Sequence, residues 1–248
     1  MASDARWQAV FDPGKATDFF AAPLGRPGFD ARATVWQVGL AWWCSEMSRA
    51  IYRRDGREPF FASAGLRELQ FFDAGSTQAG LIAGDGFAVL VFRGTADLRD
   101  WLTNLRVAPV PWQRGGRVHE GFARGLAYVW RDVEPALRRL DVPAFVAGHS
   151  LGGALATVAA AQHEFAAAYT FGAPRVGDAA FWRTLRCPLY RVVNGKDVVP
   201  TLPPRRLGYA HGGELHELGT TPLEHRRFAP HEHLVDHAPA NYTAQLTP

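Results

Sequence analysis

Short apolar runs alternate with longer helix-compatible stretches along most of this chain. A continuous apolar run bounded by polar or glycine-rich residues is typical of a buried strand, whereas apolar residues at helical spacing favour a helix. The longest helical stretch carries Trp36, Leu40, Trp43 and Met47 on one face. The pattern predicts strands at 81–83, 87–92, 144–147, 167–171 and 189–193, and helices at 34–53, 121–140, 154–164 and 178–185.

This alternation predicts an α/β fold with a mostly parallel central sheet and helices on both faces. Gly84-Asp85-Gly86 separates the first two strands and predicts a hairpin. With 248 residues, of which 47% are hydrophobic, the chain is long enough to bury one large core. We therefore expect a single domain over residues 1–248, in which residues 1–33 wrap the surface irregularly.

Ser150 lies where a predicted strand turns sharply into a predicted helix, in the segment Gly148-His149-Ser150-Leu151-Gly152. A nucleophile on such a turn needs glycine neighbours, because the backbone segments on either side approach closely. The turn exposes the hydroxyl and directs the positive N-terminus of the helix at a developing oxyanion. A glycine-rich structural turn is the alternative, and the remaining members of a catalytic triad distinguish the two.

A serine nucleophile of this kind is followed along the chain first by an acid and then by a histidine. Asp178 and Asp236 precede helix-like segments, and we expect both to cap helices. Asp197 instead follows an apolar strand, at the carboxyl end where catalytic groups gather in open α/β sheets. Asp197 is therefore the predicted orienting acid.

Seven histidines follow Ser150, and their spacing does not select the base. His163 precedes every candidate acid, which does not fit the required order, so it is set aside. The other six are His211, His216, His225, His231, His233 and His237. A metal site among the last four is an alternative, but loop histidines are usually solvated and no His-x-x-x-His helix accompanies them. We expect no metal and no cofactor.

Charge and cysteine content argue against several classes of protein. The formal net charge is only +3 and the basic residues are dispersed, which does not favour nucleic-acid binding. No apolar run reaches the roughly 18 residues of a membrane helix, and the N-terminus lacks the apolar core of a secretory signal. Cys44 and Cys187 provide neither a disulfide framework nor metal-ligand spacing. We expect a cytoplasmic protein or a mature secreted form.

Six short motifs occur in order between residues 80 and 246. They are VFRGT (91–95), VHEGF (118–122), GHSLGG (148–153), FGAPRVGD (171–178), NGKDVVP (194–200) and DHAPANY (236–242). In this order they resemble the class 3 lipase family of filamentous-fungal lipases and their plant and bacterial relatives. The resemblance implies an α/β-hydrolase fold that acts on acyl esters, with Ser150 as nucleophile, Asp197 as orienting acid and His237 as base.

The same resemblance implies an oxyanion hole made of two backbone N–H groups. One belongs to Leu151, which follows the nucleophile, and the other to Thr95, which follows Arg93-Gly94. Two preorganised donors at a developing negative charge suit acyl transfer. The alternative for Thr95 is a turn residue that ends a strand, and the fungal pattern has serine at this position.

Residues 96–106 are a candidate lid. Leu98, Trp101, Leu102 and Leu105 fall at i, i+3, i+4 and i+7, which predicts an amphipathic helix. In the fungal lipases the corresponding segment covers the acyl groove in water and turns its apolar face outward at a lipid surface. We expect Leu98, Trp101 and Leu102 to contact the acyl chain or to line the lid. The alternative is a helix that stays docked on the core.

Together these features predict serine-dependent hydrolysis of acylglycerol esters through an acyl-enzyme. Phospholipase A1, monoacylglycerol lipase and short-chain or aryl esterase activities are alternatives that use the same residues, and a catalytically silent binding protein is a further one. The expected partners are a lipid or small-molecule ester and, transiently, a lipid–water interface. We expect no nucleic acid partner.

Overall fold

The computed structural model describes residues 18–22, 24–33, 35–53, 55–95, 108–219 and 235–246. Its strands are β1 (Arg67–Ala74), β2 (Thr77–Gly84), β3 (Phe87–Phe92), β4 (Val110–Pro111), β5 (Arg117–Val118), β6 (Ala144–His149), β7 (Ala168–Phe171), β8 (Leu189–Asn194) and β9 (Glu214–Leu218). Its helices are α1 (Val38–Ala50), α2 (Glu58–Ser63), α3 (Glu120–Arg138), α4 (Leu151–Gln162), α5 (Ala179–Trp182) and α6 (Pro239–Leu246).

A seven-stranded sheet in the order β1-β2-β3-β6-β7-β8-β9 lies at the centre of the described structure. β1, β2 and β3 pair antiparallel, whereas each pairing from β3 to β9 is parallel. The prediction of a mostly parallel sheet with helices is therefore confirmed. Parallel order brings the carboxyl ends of β6, β7 and β8 to one edge, and the candidate site lies there.

The β2–β3 hairpin follows from its turn residues. Gly84 pairs with Phe87, which leaves Asp85 and Gly86 as a two-residue turn, and Gly86 has φ +75°. The predicted hairpin is confirmed, and β2 extends further toward the N-terminus than the sequence indicates. β1 is a strand that the sequence analysis missed. Only Phe72 of β1 is buried, so the apolar pattern there is weak.

Two apolar cores lie on opposite faces of the sheet. Successive residues of β3 contribute alternately to the two cores, because successive side chains on a strand point to opposite faces of the sheet. Leu90 and Phe92 pack with residues of α3 and α4, whereas Val89 and Val91 pack with residues of α1 and α6. Every residue of β3 is buried, as expected for a strand covered on both faces.

Two predicted helices are shorter than the sequence indicates. α1 begins at Val38, so the prediction that it starts at residue 34 and carries Trp36 is wrong. Trp36 instead precedes the helix and stacks on His216 of β9, with ring centroids 3.6 Å apart. α5 covers only Ala179–Trp182, so it is also shorter than the predicted helix at 178–185.

The described part of the N-terminal segment packs on the core that contains α1. Phe20 is fully buried, and its N–H donates to Glu46 of α1. Phe29 stacks on Phe87 of β3 at 3.5 Å. The candidate lid at 96–106, with Leu98, Trp101 and Leu102, lies outside the described residues, and so do His225, His231 and His233. Among the described helices, none has the length and apolar character needed to cross a membrane.

Candidate active site

Ser150 occupies a strained backbone position between β6 and α4. Its φ of +58° and ψ of −125° are rare for a residue with a side chain. A Cβ on Gly148 would lie 2.2 Å from the carbonyl carbon of Gly152, and a Cβ on Gly152 would lie 2.2 Å from the carbonyl oxygen of Phe92. The turn around Ser150 therefore requires both glycines, as the sequence predicts.

Ser150, His237 and Asp197 lie together at the carboxyl edge of the sheet. His237 Nε2 is 2.9 Å from Ser150 Oγ, and His237 Nδ1 is 2.7 Å from Asp197 Oδ2. The side chains of His237 and Asp197 are shielded from solvent, and Ser150 is 0% exposed. Three residues predicted from distant parts of the sequence thus form one continuous hydrogen-bonded chain.

The chemistry of these contacts sets the direction of each hydrogen bond. A carboxylate only accepts, so His237 Nδ1–H donates to Asp197. In a neutral imidazole the other ring nitrogen, Nε2, is then the acceptor, and the Ser150 hydroxyl donates to it. His237 is oriented to take the proton of Ser150, which is the arrangement that a serine nucleophile requires.

Tyr242 holds the carboxylate of Asp197 in place, and the sequence analysis did not identify it. The Tyr242 hydroxyl donates to Asp197 Oδ2 at 2.6 Å, and the N–H of Val199 donates to Asp197 Oδ1 at 2.9 Å. Burial, followed by the nearby Asp197 charge, raises the pKa of Tyr242 far above its usual value, so the hydroxyl keeps its proton. Tyr242 belongs to the DHAPANY motif, which was the available signal.

Asp236 stabilises the loop that carries Asp197. Its Oδ2 accepts from the N–H of Lys196 at 2.8 Å, and its main-chain carbonyl accepts from Asn194 Nδ2 at 3.0 Å. The prediction that Asp236 caps the following helix is wrong, because α6 begins three residues later at Pro239. The predicted cap at Asp178 is confirmed, since its Oδ1 accepts from the N–H of Phe181 at 2.7 Å.

The predicted oxyanion donors lie on two adjoining segments. Leu151 is the first residue of α4, and its N–H donates to no other described residue. Thr95 follows Gly94, where an added Cβ would lie 2.8 Å from the carbonyl oxygen of His149. The loop after β3 therefore packs directly against the turn that carries the serine, and Thr95 itself is half-buried.

The other described histidines downstream of Ser150 lie in different surroundings. His163 ends α4, His211 donates to the carbonyl of Pro200 at 2.7 Å, and His216 stacks on Trp36. Among the described residues, no group of three or more histidine, cysteine or acidic side chains is arranged to hold a metal ion.

Both cysteines are free thiols in the described structure. Burial raises the pKa of Cys187 to about 11, and it raises the pKa of Cys44 even further. A thiol that stays protonated is a poor nucleophile. Neither cysteine therefore competes with Ser150 for a nucleophilic role.

A serine on a strained strand-to-helix turn, hydrogen-bonded to a buried histidine and aspartate beside a mostly parallel sheet, defines the α/β-hydrolase class. Residues 89–207 match the family model described as Lipase (class 3). The resemblance to the class 3 lipase family that the motifs indicate is therefore confirmed over just under half of the chain.

Named relatives agree with this assignment. The chain is 37% identical over 144 residues to a lipase of Rhizomucor miehei, a match that covers 50% of this chain and 40% of that protein. It is 37% identical over 150 residues to secreted mono- and diacylglycerol lipase 1 of Fusarium solani, covering 55% of this chain and 45% of that protein. The matches thus span less than half of either relative.

Solved structures of fungal lipases share the fold. The structure of Rhizomucor miehei triacylglyceride lipase superposes with a TM-score of 0.66 at 28% identity, covering 75% of this chain and 82% of that one. Lipase II from Rhizopus niveus gives a TM-score of 0.64 at 25% identity, covering 75% of this chain and 82% of that one. The α/β-hydrolase fold is therefore confirmed by structure as well as by sequence.

Proposed function

We propose that this protein hydrolyses carboxylic esters of the acylglycerol type, with Ser150 as nucleophile, His237 as general base and Asp197 as orienting acid. The observation that carries the proposal is the hydrogen-bonded chain from Ser150 Oγ through His237 to Asp197, in a protein whose residues 89–207 match the class 3 lipase family model. The strained turn at Ser150 and the shielding of His237 and Asp197 from water support it further.

The reaction proceeds by two successive acyl transfers. His237 Nε2 takes the proton of Ser150 while Oγ attacks the ester carbonyl, and the resulting imidazolium is stabilised by Asp197. The imidazolium then protonates the departing alkoxide, which leaves as the alcohol, and the acyl group stays on Ser150. A water molecule, deprotonated by His237, attacks the acyl-enzyme, and the acid product and free serine are released.

The oxyanion that forms in each step needs donors, and we propose the N–H groups of Leu151 and Thr95 for this role. The absence of another described partner for the Leu151 N–H supports its part. The packing of the Gly94 backbone against His149 supports the part of Thr95. Each such donor contributes about 10²- to 10³-fold to the rate of acyl transfer.

Acylglycerols are the proposed substrates because of the relatives. One is named a mono- and diacylglycerol lipase and another a triacylglyceride lipase. Ser150 is 0% exposed, so an ester reaches it only when the surrounding structure opens. We assign this opening to residues 96–106, with Leu98, Trp101 and Leu102 on the apolar face of the lid, and a lipid–water interface as the surface that favours the open form.

Two further proposals concern the chain as a whole. The two cores lie on one shared sheet, which supports a single domain over residues 1–248. Of the two compartments that the sequence allows, the secreted one has support, because two relatives are named secreted lipases. The cytoplasmic alternative has no such support.

Replacement of the nucleophile tests the proposed function. Ser150→Ala is expected to reduce hydrolysis of p-nitrophenyl butyrate and of emulsified tributyrin below about 1% of the wild-type rate, because no oxygen remains to form the acyl-enzyme. Circular dichroism and the thermal midpoint show whether the variant keeps the fold. A folded Ser150→Ala protein with substantial esterase activity would rule out this mechanism.

The substrate class needs a second measurement. Rates on triacylglycerols from acetyl to oleoyl, taken below and above their solubility limits, separate a lid-gated lipase from an esterase. A rate jump when the interface forms is the result expected for a lipase. Simple saturation without a jump would favour the esterase alternative, and preference for phospholipid vesicles would favour phospholipase A1.

A further inference from the structure

A second hydrogen-bonded chain reaches the main chain of the candidate base. Tyr52, just after α1, has its Oη 2.9 Å from His149 Nδ1. His149 Nε2 lies 2.7 Å from the main-chain carbonyl oxygen of His237. The rings of His149 and His237 are 4.6 Å apart. The three residues are buried, with exposed fractions of 6%, 1% and 0%.

The direction of each hydrogen bond in this second chain follows from the acceptor at its end, the main-chain carbonyl of His237. The carbonyl of His237 only accepts, so His149 Nε2–H donates to it. Burial, followed by the proximity of His237, holds the pKa of His149 well below its usual value, and the ring is neutral. His149 Nδ1 is therefore an acceptor, and the Tyr52 hydroxyl donates to it. Burial also keeps Tyr52 protonated by raising its pKa.

Neutrality of His149 matters for the chemistry at His237. During proton transfer from Ser150 the ring of His237 becomes positively charged. A charged imidazole whose centroid is 4.6 Å away would oppose that change, because like charges at such a distance repel strongly in a buried site. A neutral His149 holds the main chain of His237 without this penalty.

Tyr52 also contacts the loop that carries Thr95. A Cβ on Gly94 would lie 2.0 Å from Tyr52 Oη, so the tyrosine hydroxyl fills the space beside the Gly94 backbone. The guanidinium of Arg93 lies over the Tyr52 ring, 5.9 Å from its centroid. One tyrosine is thus in contact with the proposed oxyanion loop and, through His149, with the main chain of the candidate base.

From this geometry we infer that Tyr52 and His149 are positioning residues, which hold the main chain of His237 at a fixed place relative to the loop of Thr95. The inference rests on the proposed function, since it assigns a role in the reaction of Ser150. Acyl transfer is sensitive to such placement, because a displacement of about 1 Å of a catalytic group can cost about 10²-fold in rate.

Substitutions of Tyr52 and His149 test the inference through the separate values of kcat and KM for p-nitrophenyl butyrate. Tyr52→Phe removes one donor and is expected to lower kcat about tenfold, with KM within about twofold. His149→Leu removes both contacts and is expected to lower kcat about 100-fold. His149→Gln keeps an amide N–H for the carbonyl of His237 and an oxygen for Tyr52, so kcat is expected to recover to within about tenfold of wild type.

Tyr169→Phe is the matched control, because Tyr169 of β7 is also buried but is not part of the hydrogen-bonded chain from Tyr52 to His237. It is expected to keep the wild-type kcat. Thermal midpoints for all variants separate loss of stability from loss of positioning. Equal kcat values for His149→Gln and His149→Leu would contradict a positioning role. A wild-type kcat in Tyr52→Phe would contradict it as well. The Tyr52→Phe measurement decides the question even if His149→Leu does not fold.

Ser150→Ala is measured in the same series to separate this inference from the proposed function. If Ser150→Ala is inactive and Tyr52→Phe retains the wild-type kcat, only the positioning role is wrong. If Ser150→Ala remains active, the proposed function fails and the positioning role fails with it. The expected result is an inactive Ser150→Ala beside a slow, stable Tyr52→Phe.

Discussion

Gly172 shows how a single residue without a side chain makes room for the candidate site. It follows β7 and has φ +59°, in the left-handed region that favours glycine. An added Cβ would lie 2.6 Å from Asp197 Oδ2, 2.9 Å from Tyr242 Oη and 3.0 Å from His237 Nδ1. The backbone at residue 172 therefore forms one wall of the space in which acid, tyrosine and histidine meet.

Gly172→Ala is expected to lower kcat/KM at least about 100-fold, because the new methyl group would displace the Asp197–His237 pair. Gly65→Ala is the control, since Gly65 also has a positive φ, +73°, but has no atom within 4 Å of the added Cβ. The control is expected to lose about 1 kcal/mol of stability and to keep its activity. Similar kinetics for the two variants would show that the contacts around residue 172 are unimportant.

At the residue scale, much of the site was predictable. Ser150 and Asp197 follow from local signals, namely glycine spacing and position after an apolar strand. His237 did not follow from spacing and was selected by the resemblance of its motif. Tyr242 and Tyr52 escaped prediction because a tyrosine in a helix or just after one is usually a packing residue, and its hydroxyl partner is visible only after folding.

The turn between β6 and α4 depends on contact between elements as well as on its own residues. α4 begins directly beneath the end of β3, where the carbonyl oxygen of Phe92 would lie 2.2 Å from a Cβ on Gly152. Small residues continue along α4, and all but its two terminal residues are buried. The helix can approach the sheet this closely only because its first turn contains Gly152 and Gly153.

Gly152→Ala is expected to destabilise the protein by about 3 kcal/mol, because the methyl group would overlap backbone atoms of β3. Alanine in place of a helical glycine normally increases stability by about 1 kcal/mol, so the expected sign is reversed here. Gly39→Ala in α1 is the comparison variant, since the nearest atom to its added Cβ is a side-chain atom, Pro27 Cβ at 3.1 Å, and not the backbone of a strand. Urea unfolding measures both, and a Gly152→Ala protein as stable as wild type would contradict the close approach.

Element boundaries were less predictable than element types. The strands β6, β7 and β8 match their apolar runs to within two residues. α1 is shorter than predicted, because Trp36 packs on His216 of a strand far along the chain. Helical spacing alone does not show where a long-range contact ends a helix, and β1 was missed because its exposed face carries polar residues.

A partly buried, neutral histidine links the stability of the whole molecule to pH. Burial, followed by the nearby Arg191, lowers the pKa of His211 to about 3, and its contact with Pro200 only partly offsets this. Arg175 and Arg205 also lower it. In the unfolded chain a histidine has a pKa of about 6.5. Between these values the unfolded state binds more protons, so stability increases with pH and is lost as pH falls below about 6.5.

His211→Gln removes this contribution and keeps an N–H that can reach the carbonyl of Pro200. Wild type is expected to lose about 2 kcal/mol more than the variant between pH 6.5 and pH 5, at about 1.4 kcal/mol per pH unit. Urea unfolding of both proteins at several pH values measures the difference. Parallel stability curves for the two proteins would contradict a neutral, partly buried His211.

The sequence by itself determined the class of fold and the candidate nucleophile and acid, because these depend on local signals: strand and helix periodicity, glycine spacing and position at a strand end. Only the tertiary structure decided which side chains surround them. The contacts from Tyr242 to Asp197 and from Tyr52 to His149 join residues 45 and 97 positions apart. Such contacts depend on how the elements pack on the sheet, and no local pattern along the chain records that packing.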